Sequence, residues 1–318
     1  MKKLGLFTWN GFENFGDDLI NFAVTQLFND YDLLHLSERK CLSQVKYRLR
    51  AQPNRLISRQ IPENTPLIVC GGGMIASDVS SSTLTRWAMH LATHKGLKYT
   101  FGIGVGPFSP GTEKLAHSLL EQFESPILVR TVRDLEILWG LGIEGSLACD
   151  PSLIVNLSEL ISRNSSREAR SHDFYPWRGH WLNLEEEDYH ELMCAWFNES
   201  PKSHKVEYRY SYMAKLFKPK EKTIEHALIR YINLIANSQS VATSKLHTSI
   251  IAGLLEVPQT CIPYGHKFDL LLELGINAST HGAMNFDQKF SPDLLDQVKL
   301  RGNMVLKILK ERINMEYV

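Results

Sequence analysis

Short, unbroken apolar runs, each followed by a helix-like stretch, set the fold of this chain. KLGLFT (3–8) reads as a strand and DLINFAVTQLF (18–28) as an amphipathic helix. PLIVCGGG (66–73) is a strand running into glycines, 82–94 a helix, LKYTFGIGVG (97–106) a strand then a loop, and 113–123 a helix. PILVRTV (126–132), the short helix DLEILWGLG (134–142) with its glycine stop, and GSLACD (145–150) continue the rhythm. A strand without a polar face has to be covered on both faces, so the alternation predicts a parallel sheet clad in helices. Loops after the strand C-termini are where such sheets bind ligands.

Residues 156–180 break the pattern with Ser, Asn, Arg and Pro, and read as a linker. A second series follows. HWLNL (180–184) reads as strand, 185–198 as helix, HKVEYRYSY (204–212) as strand and 222–237 as helix. Then come SVAT (240–243), a helix from 248, the strand VPQTCIPY (257–264) and a closing helix at 292–313. The expected architecture is α/β with two Rossmann-like domains, 1–155 and 156–318, the second smaller and carrying the closing helix. A length of 318 residues suits two domains at roughly 100–200 residues each.

Lys plus Arg and Asp plus Glu number 35 each, so no global field steers the chain toward nucleic acid and any anion site is local. The five cysteines are scattered without CxxC spacing, which argues for free thiols in a reducing compartment and against a zinc site. The apolar run at the start is too short for a secretory signal, and no window approaches the roughly 18–20 apolar residues of a membrane span. The expected location is the cytoplasm.

Five stretches carry chemistry. In SKLHTSIIAG (244–253), Lys245 and His247 occupy a strand-to-helix turn. A helix N-terminus offers unpaired N–H groups and partial positive charge, a lysine adds a full charge, and a histidine exchanges protons near neutrality. The turn suits anion binding with proton transfer; the plain alternative is a solvated turn. In WNGFENFGDDLI (9–20), Asn14 and Gly16 allow a tight loop, and Asp17 or Asp18 can cap the following helix. VCGGGMI (69–75) lets backbone approach a ligand through Gly71, Gly72 and Gly73, yet matches neither a Walker loop nor the dinucleotide fingerprint. GIGVGP (102–107), with Gly104, is a similar loop one strand later. Arg130 and Arg133 follow one strand and Asp150 ends the next; they act on a ligand or pair with each other. In IPYGHKFD (262–269), Lys267 leads from a strand end into a helix, either reaching an anion or solvated.

Taken in order, these stretches resemble the polysaccharide pyruvyltransferase family. The steps that carry the resemblance are Asn14–Asp17, Gly71–Gly73, Gly102–Pro107, Arg133-Asp134, Asp150-Pro151, Ser244–His247, Val257-Pro258 and Lys267. The resemblance implies two Rossmann-like domains facing a cleft, as in GT-B glycosyltransferases. It implies transfer of pyruvate from phosphoenolpyruvate to two hydroxyls of a sugar, in an exopolysaccharide or its lipid-linked precursor, as a cyclic ketal. On that footing His247, Lys245 and Asp17 are catalytic candidates. Ser244, Lys245, Thr248, Lys267 and Arg133 would bind the donor. Asn14, Gly16, Asp17, Gly71, Gly72, Gly73, Gly104 and Asp150 would line acceptor loops on the first domain. The scheme requires no metal and no cofactor beyond phosphoenolpyruvate as co-substrate. One departure stands out: the family's arginine before Leu-His is Lys245 here, a point charge in place of a planar fork. Two alternatives remain open, a GT-B glycosyltransferase using a nucleotide sugar and a non-catalytic glycan-binding member.

Residues 39–59 carry Arg39, Lys40, Lys46, Arg48, Arg50, Arg55 and Arg59 without an acid, with Leu42, Val45 and Leu49 at helical spacing. A basic amphipathic segment suits an anionic membrane face or a charged acceptor glycan; the alternative is a solvated helix face.

Overall fold

A computed structural model describes residues 1–8, 14–36, 61–72, 75, 81–108, 111–161, 169–174, 186–199, 202–209, 221–262, 265–277 and 288–317. The basic segment 39–59, Gly73 and the expected strand 180–184 lie outside the described residues. The chain divides into two compact units. One comprises Met1–Val155, Tyr210–Ile224 and Val298–Val318, the other Asn156–Arg209 and Glu225–Gln297.

The first unit runs β1 (Lys3–Phe7), α1 (Phe15–Leu27), β2 (Asp32–Leu36), β3 (Leu67–Cys70), α2 (Ser81–Thr93), β4 (Lys98–Phe101), α3 (Glu113–Leu120), β5 (Ile127–Val129), α4 (Val132–Gly140) and β6 (Gly145–Leu147). Its strands pair in parallel in the order β2-β1-β3-β4, with β5 and β6 forming a second parallel pair. A parallel bridge between Ile103 and Val129 ties the chain after β4 to β5. All four residues of β3 are buried, as an apolar strand covered on both faces must be. Trp87 of α2 packs edge-on against Phe7 of β1, ring centroids 5.5 Å apart. Such a pair adds about 0.5–1.5 kcal/mol beyond its buried area.

The second unit runs β7 (Ala169–Asp173), α5 (Glu186–Glu199), β8 (His204–Lys205), α6 (Glu221–Ala236), β9 (Ser238–Thr243), α7 (Leu246–Leu254), β10 (Gln259–Cys261) and α8 (Asp269–Glu273). Its parallel sheet has the order β10-β9-β7-β8. The first strand of each unit therefore lies between that unit's second and third strands, β1 between β2 and β3, and β7 between β8 and β9. That is the topological switch point, whose C-terminal edge is the ligand-binding edge of a doubly wound sheet.

Several expectations change. The stretch read as a linker contains β7, a central strand. Its composition looks like a loop because two of its buried side chains, Ser171 and Asp173, are polar and hydrogen-bonded. The edge strand β2, DLLHL, has no counterpart among the expected elements. Among the described residues 204–209 of the expected 204–212 strand, His204 and Lys205 alone pair as β8. α1 begins at Phe15 because Asn14 is its N-cap; Asp17 and Asp18 sit in its first turn instead. The last helix, α9 (Pro292–Met315), was expected with the second domain, yet from Val298 onward it counts with the first unit. There Arg301 donates to the Ala148 carbonyl at 2.7 Å, Lys310 pairs with Asp30 at 2.8 Å, and Gly302 lies against Cys149.

Candidate functional site

In the second unit the switch point is built from the ends of β7 and β9. β7 ends at Asp173, which is 1% exposed. β9 ends at Thr243, and Ser244 and Lys245 turn the chain into α7 with Lys245 as its N-cap. The two ends are laced together. Thr243 Oγ1 donates to the Asp173 carbonyl at 2.9 Å and accepts the Lys245 amide at 2.9 Å. Lys245 Nζ donates to Asp173 Oδ1. The other carboxylate oxygen accepts from the Tyr231 hydroxyl and from Thr248 Oγ1, the latter at 3.1 Å. A buried carboxylate demands such partners, because burial penalises the ion unless it is paired and hydrogen-bonded.

Lys245 and Asp173 open onto a pocket of about 580 Å³, also lined by His172, Phe174, Phe197, Lys205, Tyr208 and Arg209. Glu207 accepts from Lys205 at 2.6 Å and from Arg209 at 2.7 Å. His172 bonds Ser203 through Nδ1 at 3.0 Å and stacks on Phe174, with Phe197 edge-on. Burial first, and then the charge of Lys205, pushes the His172 ring below its ordinary 6.5, against the pull of Asp173. The pocket thus sets three cations and a neutral imidazole against two carboxylates, with an aromatic wall. That arrangement suits an anionic ligand with an organic body.

The other expected donor residues sit differently. Ser244 and Thr248 are buried, and Thr248 spends its hydroxyl on Asp173 and Tyr231. His247, in the first turn of α7, is half-buried and is not among the residues lining this pocket. Lys267 lies with Ser244, Leu246 and Phe268 around a separate small recess. Sequence reasoning missed Asp173, Tyr231, His172, Lys205 and Arg209. The one signal for Asp173 was an acid closing a stretch that also supplies a strand.

The first unit has its own constellation. The loops after β3 and β4 are zipped together: Gly104 N–H donates to the Gly72 carbonyl at 2.8 Å and Gly106 N–H to that of Ile75 at 2.7 Å. Arg130 is buried beside them, its guanidinium 2.9 Å from where a Cβ on Gly104 would stand and 3.7 Å from one on Gly72. Arg130 and Asp150 form a buried ion pair at 3.1 Å, and Asp150 also accepts from the Ser152 amide and hydroxyl. Asp134 closes a capping box with Thr131 and accepts from Val105 N–H at 2.8 Å, so it holds the second glycine loop. Burial raises its carboxyl above the ordinary value despite the nearby Arg130. Arg133, the residue before Asp134, is exposed. Gly71 adopts φ 136°, open to glycine alone. At the head of α1, Asn14 Oδ1 accepts from Gly16 N–H at 3.1 Å and its amide donates to Asp17 at 2.6 Å. Among the described residues no three His, Cys, Asp or Glu side chains group to hold a metal, and no helix is long and apolar enough to cross a membrane.

A family model for polysaccharide pyruvyl transferase matches residues 14–266. The chain belongs to the polysaccharide pyruvyl transferase family. The match takes in both switch points, from Asn14 through the Lys245 turn. Among solved structures, a functionally uncharacterised protein of Klebsiella pneumoniae is 14% identical, aligns over 88% of this chain and 93% of its own, and has a TM-score of 0.56. A Listeria monocytogenes protein, provisionally described as a UDP-N-acetylglucosamine 2-epimerase, is 12% identical over 98% and 90%, with a TM-score of 0.50. Anabaena HepE, crystallised with UDP and glucose, is 10% identical over 96% and 90%, with a TM-score of 0.48. No curated protein matches in sequence. At these identities the first two show the fold, which is GT-B-like and built of two Rossmann-like units.

Proposed function

We propose that this family member transfers pyruvate from phosphoenolpyruvate to two hydroxyls of a sugar, in an exopolysaccharide or its lipid-linked precursor, as a cyclic ketal. The observation that carries the reading is the family match from residue 14 to 266, which includes the Lys245–His247 turn. The second unit takes the donor and the first takes the glycan, through Asn14, Gly16, Asp17 and the glycine loops.

The chemistry asks for cations and a proton. Phosphoenolpyruvate brings a phosphate and a carboxylate. His247 gives a proton to the vinyl CH2, which becomes the methyl group, and cationic character develops at the adjacent carbon. A sugar hydroxyl adds to that carbon and releases its proton. The carbon–oxygen bond to phosphate then breaks, the electron pair leaving with phosphate, and the second hydroxyl closes the ring with loss of its own proton. One hydroxyl proton balances that given by His247 and the other leaves with phosphate or solvent. Lys245, at the head of α7, stabilises the charge that grows on the departing phosphate.

His247→Ala tests the proton donor. Phosphate release with an acceptor glycan should fall by about 10²–10⁴-fold, the usual range for a general acid. Appearance of a ketal methyl signal in the proton spectrum of the glycan identifies the product. Turnover unchanged in His247→Ala would remove His247 from the mechanism. Glycan binding without turnover in the wild type would favour the non-catalytic alternative.

A further inference from the structure

We propose that Asp173 is the positioning residue for Lys245: its buried carboxylate holds the ε-ammonium at the mouth of the His172–Arg209 pocket. The inference rests on the reading of Lys245 as the donor-site cation. A lysine presents a point charge on a flexible stem, without the planar, pre-organised fork of an arginine. A lysine holds an anion in one geometry best when a neighbouring group fixes its ammonium.

Asp173 supplies the fixing. It closes β7, next to β9 in the sheet, so the backbone places its carboxylate beside the turn that carries Lys245. One oxygen takes Lys245 Nζ; the other is held by the Tyr231 hydroxyl and Thr248 Oγ1. Tyr231 and Thr248 are themselves 2.9 Å apart, and Tyr231 is 1% exposed. The carboxylate therefore has little freedom, and the lysine inherits its position. The Lys245 side chain stays 25% exposed against 1% for that of Asp173, so one face of the pair remains open to the pocket. Lys205, at the end of the neighbouring parallel strand β8, and Arg209 beyond it share Glu207, so with Lys245 on Asp173 the pocket still holds three cations against two carboxylates.

Two measurements on the full chain test this. In protein labelled with ¹⁵N-lysine, with Lys245 assigned by Lys245→Arg, relaxation should report an ordered ε-ammonium. In Asp173→Asn it should become as mobile as that of exposed lysines such as Lys289. Calorimetry with phosphoenolpyruvate should show Asp173→Asn weakening binding by about tenfold or more, the scale of a lost charged hydrogen bond. The same change made in Lys245→Ala should add nothing, because Asp173 acts through Lys245; a general structural role would weaken binding in both backgrounds. Equal losses in both backgrounds, or an ammonium still ordered in Asp173→Asn, overturns the proposal. If the wild type does not bind phosphoenolpyruvate, the donor reading fails and the relaxation data still decide whether Asp173 positions Lys245. Should Asp173→Asn not fold, the wild-type spectrum stands alone, and a mobile Lys245 there ends the proposal.

Discussion

Arg130 and Arg133 occupy one strand-to-helix turn and meet opposite environments. Arg130 is buried and paired with a buried Asp150, while Arg133 faces solvent. Breaking a buried pair from one side strands an uncompensated charge and costs about 3–5 kcal/mol. Asp150→Asn should therefore lower the stability of the protein by that order in denaturant unfolding. Arg133→Ala should fall within about 0.5 kcal/mol, as surface changes do. A similar loss at both positions would mean that Arg133 is also part of the core of the first unit. Sequence could offer only the choice between ligand contact and internal pairing for Arg130 and Asp150, because both fates begin from the same strand ends. Asp173 was less legible still. Its role depends on Tyr231, Thr248 and Lys245, which lie 58, 75 and 72 residues away along the chain.

At the scale of elements, apolar runs found their strands wherever burial was hydrophobic. β1, β3, β4 and β5 each fall inside a run read from sequence, and β9 contains its run, 240–243, and begins two residues earlier. β7 escaped because its buried side chains Ser171 and Asp173 are satisfied by hydrogen bonds to Ser238 and Tyr231 on other elements, a pattern that periodicity does not record. α7 began earlier than its apolar run suggests, at Leu246, since Lys245 caps it through backbone geometry and the Thr243 hydroxyl. That helix also makes a prediction. A Cβ on Gly253 would stand 2.2 Å from the Phe290 ring. Alanine gains about 1 kcal/mol over glycine in a helix interior. Overpacking against a buried ring costs about 1–3 kcal/mol or more. Packing should win, and Gly253→Ala should lower the melting temperature and loosen the helix that presents Lys245. A rise in melting temperature would show that Phe290 moves aside freely.

At the scale of the molecule, the same strand order occurs in both units, and each switch point carries its own polar constellation. Arg130, Asp150 and the paired glycine loops belong to the first; Asp173, Lys245 and the cationic pocket belong to the second. The family match places the chain among pyruvyl transferases, and the strongest claim built on it is that phosphoenolpyruvate binds at Lys245. Thermal unfolding with phosphoenolpyruvate, beside a panel of UDP-, GDP- and CMP-sugars, tests that claim in wild type and Lys245→Ala. A ligand that binds only the folded state adds about 2.7 kcal/mol at a hundred times its dissociation constant, which is readily seen. The account predicts a rise in melting temperature with phosphoenolpyruvate that Lys245→Ala loses. A rise with a nucleotide sugar alone would contradict it and turn the assignment toward a glycosyltransferase.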